Sequence, residues 1–183
     1  MSRTSDGLKR HPSQWGVADA QPSRSHAVFL RAIAHVPIQP FRDGLEQLGL
    51  RDVTSFGATG NLMFNTDVED MRLLEEAITG RLGAVAFVRT REQLAEIVAA
   101  DPYGNEPGAA VALLAGPVPS ARRKQVETLE FTGPPPVLIG TTVYFAEATR
   151  LRGKGGTLSP EYLYGVAGTV RATSVMAKVL ARM

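Results

Sequence analysis

The chain contains no cysteine, which removes disulfides, thiolate nucleophiles and Cys-ligated metal from consideration. Histidine is scarce: His11, His26 and His35 are the whole supply and share no ligand spacing. A tetrahedral zinc site needs several ligands in fixed geometry, so no metal is expected, and no cofactor. Aromatic residues amount to 7 %, with a single tryptophan, Trp15. The stacking surfaces on which single-stranded nucleic acids lie are therefore thinly supplied, and the K/R-G-F-G/A-F signature of an RNA-binding sheet is missing. No apolar run approaches the roughly 20 residues that cross a bilayer, and residues 1–25 hold no apolar core of a secretory signal. A cytoplasmic location without membrane contact is the resulting expectation. Neither sign of charge dominates: 20 Lys and Arg against 18 Asp and Glu leave a net charge of +2, which argues against a nucleic-acid partner. Ser55 and Ser174 lack a G-x-S-x-G setting, so no serine nucleophile is indicated.

What is present is an ordinary globular composition. The 183 residues are 44 % apolar, enough to bury one good core or two small ones. Charge is unevenly placed: +2 over 1–25, −3 over 26–100, −1 over 101–146 and +4 over 147–183. A positive final quarter attracts anions more readily than the rest.

Residues 1–25 mix Ser, Arg, Pro, Gly and Asp without periodicity and read as a disordered N-terminal arm. An apolar strand follows at Ala27–Ile33. Pro37 and Pro40 end it and open a helix to about Leu48, with Phe41, Leu45 and Leu48 on one face. Val53–Phe56 and Leu62–Phe64 form two strands around Gly57 and Gly60. Asp67 or Asp70 caps a second helix with Met71, Leu74, Ile78 and Leu82 as its buried stripe and Gly83 as its stop. Glu75 and Glu76 fall on its polar side as solvated charges. Val85–Arg89 is a fourth strand. Thr90 with Gln93 makes a capping box for a further helix. The order strand, helix, strand, strand, helix, strand is that of a ferredoxin-like, split βαβ module.

Asp101–Gly108 is rich in Pro and Gly and marks a linker. Beyond it the pattern repeats in degraded form. Ala110–Leu113 echoes the first strand, a polar helix runs from about Ser120 to Leu129, and Val137–Phe145 forms a hairpin. A short helix lies near Ser159–Val166, and Thr173 caps a terminal helix. The fold expected is α+β, two ferredoxin-like subdomains packed together with a C-terminal helix. The boundaries are 1–25 for the arm, 26–100 and 109–183 for the subdomains, and 101–108 for the linker.

Phe29-Leu30-Arg31-Ala32-Ile33 and Thr59-Gly60-Asn61-Leu62-Met63-Phe64 resemble the V-A-L-L-R-G-I-N and S-G-N-V-V-F elements of the bacterial family called domain of unknown function 1697. Gly153-Lys154-Gly155 falls where that family carries S-K-L. Val170-Arg171 with Lys178 falls on its A-R-N-W-R-T-V-x-K-L element. Ala32 and Ala34 stand where the family has glycine and asparagine, and Ala172, Thr173 and Ser174 replace Asn-Trp-Arg. The resemblance implies two packed ferredoxin-like subdomains and implies no activity.

One polar pair follows from topology. The first and third strands of such a sheet are adjacent and antiparallel. If Val28, Leu30, Leu62 and Phe64 face the helices, then Phe29, Arg31, Asn61 and Met63 face the other way. Arg31 and Asn61 would together suit a carboxylate or phosphate, with Lys154, Arg171 and Lys178 as further cations. The Gly153–Thr157 run lacks the phosphate-loop spacing and reads as a surface loop. The leading reading is a non-enzymatic cytoplasmic module that binds an anionic small molecule between the subdomains. A small-molecule biosynthetic enzyme using the same cleft and a protein–protein assembly module are the alternatives, with the chain a monomer or a homodimer.

Overall fold

The structure is a computed structural model and describes residues 24–31, 36–57, 60–104, 106–147, 151–153 and 159–183. The first half runs β1 (Arg24–Leu30), α1 (Gln39–Gln47), β2 (Arg51–Phe56), β3 (Asn61–Thr66), α2 (Met71–Leu82) and β4 (Ala86–Thr90). After α3 (Arg91–Ala99) the same succession returns as β5 (Ala110–Leu114), α4 (Ser120–Glu127), β6 (Val137–Ile139), β7 (Thr142–Phe145), α5 (Pro160–Tyr164) and β8 (Gly168–Ala172). The helix α6 (Thr173–Leu180) follows. Each half carries one antiparallel four-stranded sheet, in the orders β2-β3-β1-β4 and β6-β7-β5-β8. These matching orders with βαββαβ succession are the ferredoxin-like arrangement, and the class is α+β.

Local chemistry sets the helix ends. Asp70 accepts from the Arg72 and Leu73 N–H groups, and Gly83 closes α2 in the left-handed conformation at φ +65. Thr90 and Gln93 form a reciprocal capping box on α3, so each satisfies one of the orphan backbone donors of that end. Pro40 sits in the first turn of α1, where its missing N–H costs nothing. Gly44 lets α1 and α2 approach, since a Cβ there would run into Leu82 Cδ2.

Side-chain alternation along the strands divides the interior into three apolar clusters. Val28, Leu30, Leu62 and Phe64 pack with Leu45, Leu74 and Ile78 of α1 and α2. Their neighbours Ala27, Phe29, Met63 and Phe87 point the other way and meet Val111, Leu113 and Tyr144 of the second sheet. Leu94 of α3 and Met176 and Val179 of α6 complete this seam between the halves. Ala112, Leu114, Val143 and Phe145 pack against α4 and α5 in the third cluster. The inward faces of both sheets are therefore consumed by packing rather than by a cleft.

Five expectations change. Thr173 opens α6 but does not cap it; its hydroxyl donates to Asp101 Oδ2 at 2.6 Å. Glu75 is no solvated charge: it accepts from the Val88 N–H at 2.8 Å and from Arg89 at 3.2 Å. The strand β8 pairs with β5 over Gly168–Ala172, a segment whose pattern is too short to stand out. The strand β1 ends at Leu30, short of the expected Ile33; Arg31 beyond it keeps a backbone bond from its N–H to the Val85 carbonyl at 2.9 Å. Residues 1–23 of the arm, with Trp15 and His11, as well as His35 and Lys154, lie outside the described residues; Arg24 and Ser25, assigned to the arm, instead open β1 opposite Thr66 and Asn65.

Candidate functional site

The sequence directs attention to the far end of β1. There Phe29 is opposite Asn61 across the β1–β3 ladder, which brings the two anticipated residues, Arg31 and Asn61, to one end of the sheet. Their side chains take different partners. Asn61 is fully buried; its Nδ2 donates to the Phe56 carbonyl at 3.0 Å, closing the β2–β3 turn. Its Oδ1 accepts from Arg171 Nε at 2.6 Å. Arg171 Nη2 donates to the Leu30 carbonyl at 2.7 Å, and Nη1 donates to Thr169 Oγ1 and the Val170 carbonyl, each at 2.8 Å. Burial pushes the Arg171 guanidinium down to about 10.

Arg31 instead pairs with Glu161 of α5 at 2.7 Å, both half-exposed. The same carboxylate oxygen accepts from the Gly168 N–H at 3.0 Å. Burial alone would raise this carboxyl; the Gly168 and Glu161 N–H groups and the Arg31 charge outweigh it and hold the group below its ordinary range. Arg31 and Arg171 thus fasten the first half to the second from opposite sides. Lys178 lies exposed on α6.

The open concavity of the described residues lies elsewhere, on the helical face of the second half. A groove of about 680 Å³ runs between α4 and the segment that leads into β6. Val126, Leu129, Phe131 and Leu138 form its apolar walls, Pro135 and Pro136 its lip, and Arg123 and Glu127 its charged rim. A smaller recess of about 310 Å³ adjoins it at Leu129, flanked by the Arg152–Glu130 pair. The pattern-based reading missed the groove because it is built by a polar helix and a proline run that carry no motif.

Tyr164 forms part of the groove wall and is 2 % exposed. Its hydroxyl has no hydrogen-bond partner among the described residues. Sealed polar atoms without a partner are confined, among those residues, to Arg42 Nε and Arg122 Nε, so the Tyr164 hydroxyl is not closed off from solvent. Burial raises this phenol to about 12, with the Arg123 charge pulling the other way. Arg123 is exposed and forms no ion pair among the described residues. The neighbouring Arg122 does the structural work of α4, donating to the Tyr162 carbonyl at 2.5 Å.

Residues 23–144 match the family described as "Protein of unknown function (DUF1697)". The chain belongs to this family. Among solved structures, the conserved bacterial protein SP0830 from Streptococcus pneumoniae shares the fold. Its TM-score is 0.62 at 17 % identity, over 87 % of this chain and 98 % of that one. A comparison with curated proteins gives no match. The family match spans the first half, α4 and the β6–β7 hairpin, and so includes most of the groove but stops short of Tyr164, Arg171 and Glu161. No helix among the described residues is long and apolar enough to cross a membrane, and no cluster of metal-ligating side chains occurs among them.

Proposed function

We propose that the protein is a non-enzymatic cytoplasmic module that binds a small anionic molecule in the groove beside α4. The observation that carries this reading is a concavity of about 680 Å³ with a cation on its rim, Arg123, that forms no ion pair among the described residues. Small-molecule sites are clefts of roughly 300–1,000 Å³ that combine apolar walls with placed polar groups; this groove falls in that size range, with polar and apolar lining in nearly equal shares. The space between the sheets does not, since Phe29, Met63, Leu113 and Tyr144 fill it. Arg31, Asn61 and Arg171 are read accordingly as fastenings of the fold, each already engaged within the chain.

The test compares the chain with Arg123→Glu. Each is purified from the same lysate and denatured, and the released small molecules are identified by mass spectrometry. An anionic compound carried by the parent and lost from Arg123→Glu is the expected result. Identical small-molecule content in the two preparations would sink the reading.

A further inference from the structure

We infer that the groove takes a monocarboxylate with a flat apolar body, the carboxylate accepting from the Tyr164 hydroxyl and pairing with Arg123. This assignment rests on the groove reading above and narrows it to a ligand class. The phenol of Tyr164 is almost wholly buried yet unpartnered within the described residues. The hydroxyl itself is not sealed from solvent, so water serves it until an acceptor on a ligand takes that water's place. A phenol that titrates only near 12 stays protonated at neutral pH, so the atom it needs is an acceptor. Arg123 lines the same groove, which favours a negatively charged acceptor over a carbonyl or ether.

Glu127 decides which anion. It stands one helical turn from Arg123 on the same rim and sets a negative charge against any incoming acid. Arg123 and Glu127 cancel in charge on the rim, so a phosphate monoester near −2 gains no more attraction there than a single carboxylate does and costs more to strip of water. A guanidinium fork and a hydroxyl also match the two oxygens of a carboxylate. The body of the ligand is set by the apolar part of the wall: the Phe131 ring, Leu138, and the rings of Pro135 and Pro136 line one share of the groove, which suits a planar ring or a short flat chain.

The experiment is an amide-resolved NMR titration of the full chain with phenylacetate as probe, beside neutral phenylacetamide and dianionic phenyl phosphate. Phenylacetate should shift the amides of Val126, Leu129, Phe131 and Leu138 and outcompete both analogues. Tyr164→Phe should raise its Kd by about tenfold, the worth of one hydrogen bond to a charged group, while the melting temperature holds or rises because no internal bond is lost. Glu127→Gln should tighten binding. No shift at any groove residue would overturn both the groove reading and this assignment. Binding equal for phenyl phosphate, or unchanged in Tyr164→Phe, would overturn the carboxylate alone and leave the groove reading standing, whereas equal binding of neutral phenylacetamide would overturn the anion in both. A marked fall in the melting temperature of Tyr164→Phe would show that the hydroxyl serves the fold, and would also overturn it.

Discussion

At the scale of single residues, Arg31 and Arg171 divide a task that looks uniform in the sequence. Arg171 donates from one side chain to β1, β3 and its own strand, and its Asn61 partner is fully buried. Removing it takes one donor from the Asn61 amide oxygen and one from the Leu30 carbonyl, so Arg171→Ala should lower unfolding free energy by about 3 kcal/mol or more. Arg31→Ala removes only a half-exposed pair and should cost about 0–1 kcal/mol. Parallel denaturant titrations check both; equal losses would contradict the geometry. His26 supplies a pH signature. It is buried, stacked on Phe64 with ring centroids 5.7 Å apart, and bonded through Nδ1 to the Arg24 carbonyl. Burial pushes its pKa below the usual 6.5, against the pull of the Arg24 carbonyl and Glu92. The unfolded chain therefore binds more protons than the folded one just below 6.5, so stability present above that value is lost as pH falls through the window. Melting temperatures followed downward from pH 8 should show this loss in the parent and lack it in His26→Phe.

Among the elements, the ones that local chemistry specifies were legible and the ones that distance specifies were not. The Asp70 cap, the Gly83 stop and the Thr90–Gln93 box can be read within four residues, and the structure has all three. The alternation of Phe29 and Met63 away from α1 and α2 also holds, because both sit inside the β1–β3 ladder. Arg171 could not be placed, since its partners Asn61 and Leu30 are 110 and 141 residues away in sequence. Glu75 escaped for a related reason. It looks like its neighbour Glu76, which pairs with Arg72 along the helix surface at 2.8 Å. Glu75 instead caps the outer edge of β4 at Val88, as Thr79 does at Ala86, and Glu161 does the same for Gly168 of β8. An edge strand with open N–H groups invites pairing with other chains. Glu75→Ala should therefore cost about 1–3 kcal/mol and raise aggregation on heating, while Glu76→Ala should stay within about 0.5 kcal/mol. Light scattering during a thermal ramp separates the two.

For the whole molecule, the seam decides how far the halves are independent. Phe29, Met63 and Phe87 from one sheet and Val111, Leu113 and Tyr144 from the other share a single core with α3 and α6, and the Tyr144 hydroxyl crosses it to the Ile97 carbonyl at 3.0 Å. Neither half can cover that face alone, so fragments 24–100 and 109–183 should each bind a hydrophobic dye and lose it when mixed. Two dye-free, folded fragments would show separable domains. The length of the Arg171–Leu30 link has a further consequence, in the time domain of synthesis. Leu30 is made 141 residues before the guanidinium that holds its carbonyl, an interval of about 7–30 s at typical rates of translation. Through that interval the ladders and helices of the first half can form, but Phe29, Met63 and Phe87 have no second sheet to meet. The nascent chain thus carries a formed and sticky surface behind the ribosome, and its yield in the cell should depend on how quickly translation proceeds through residues 109–180.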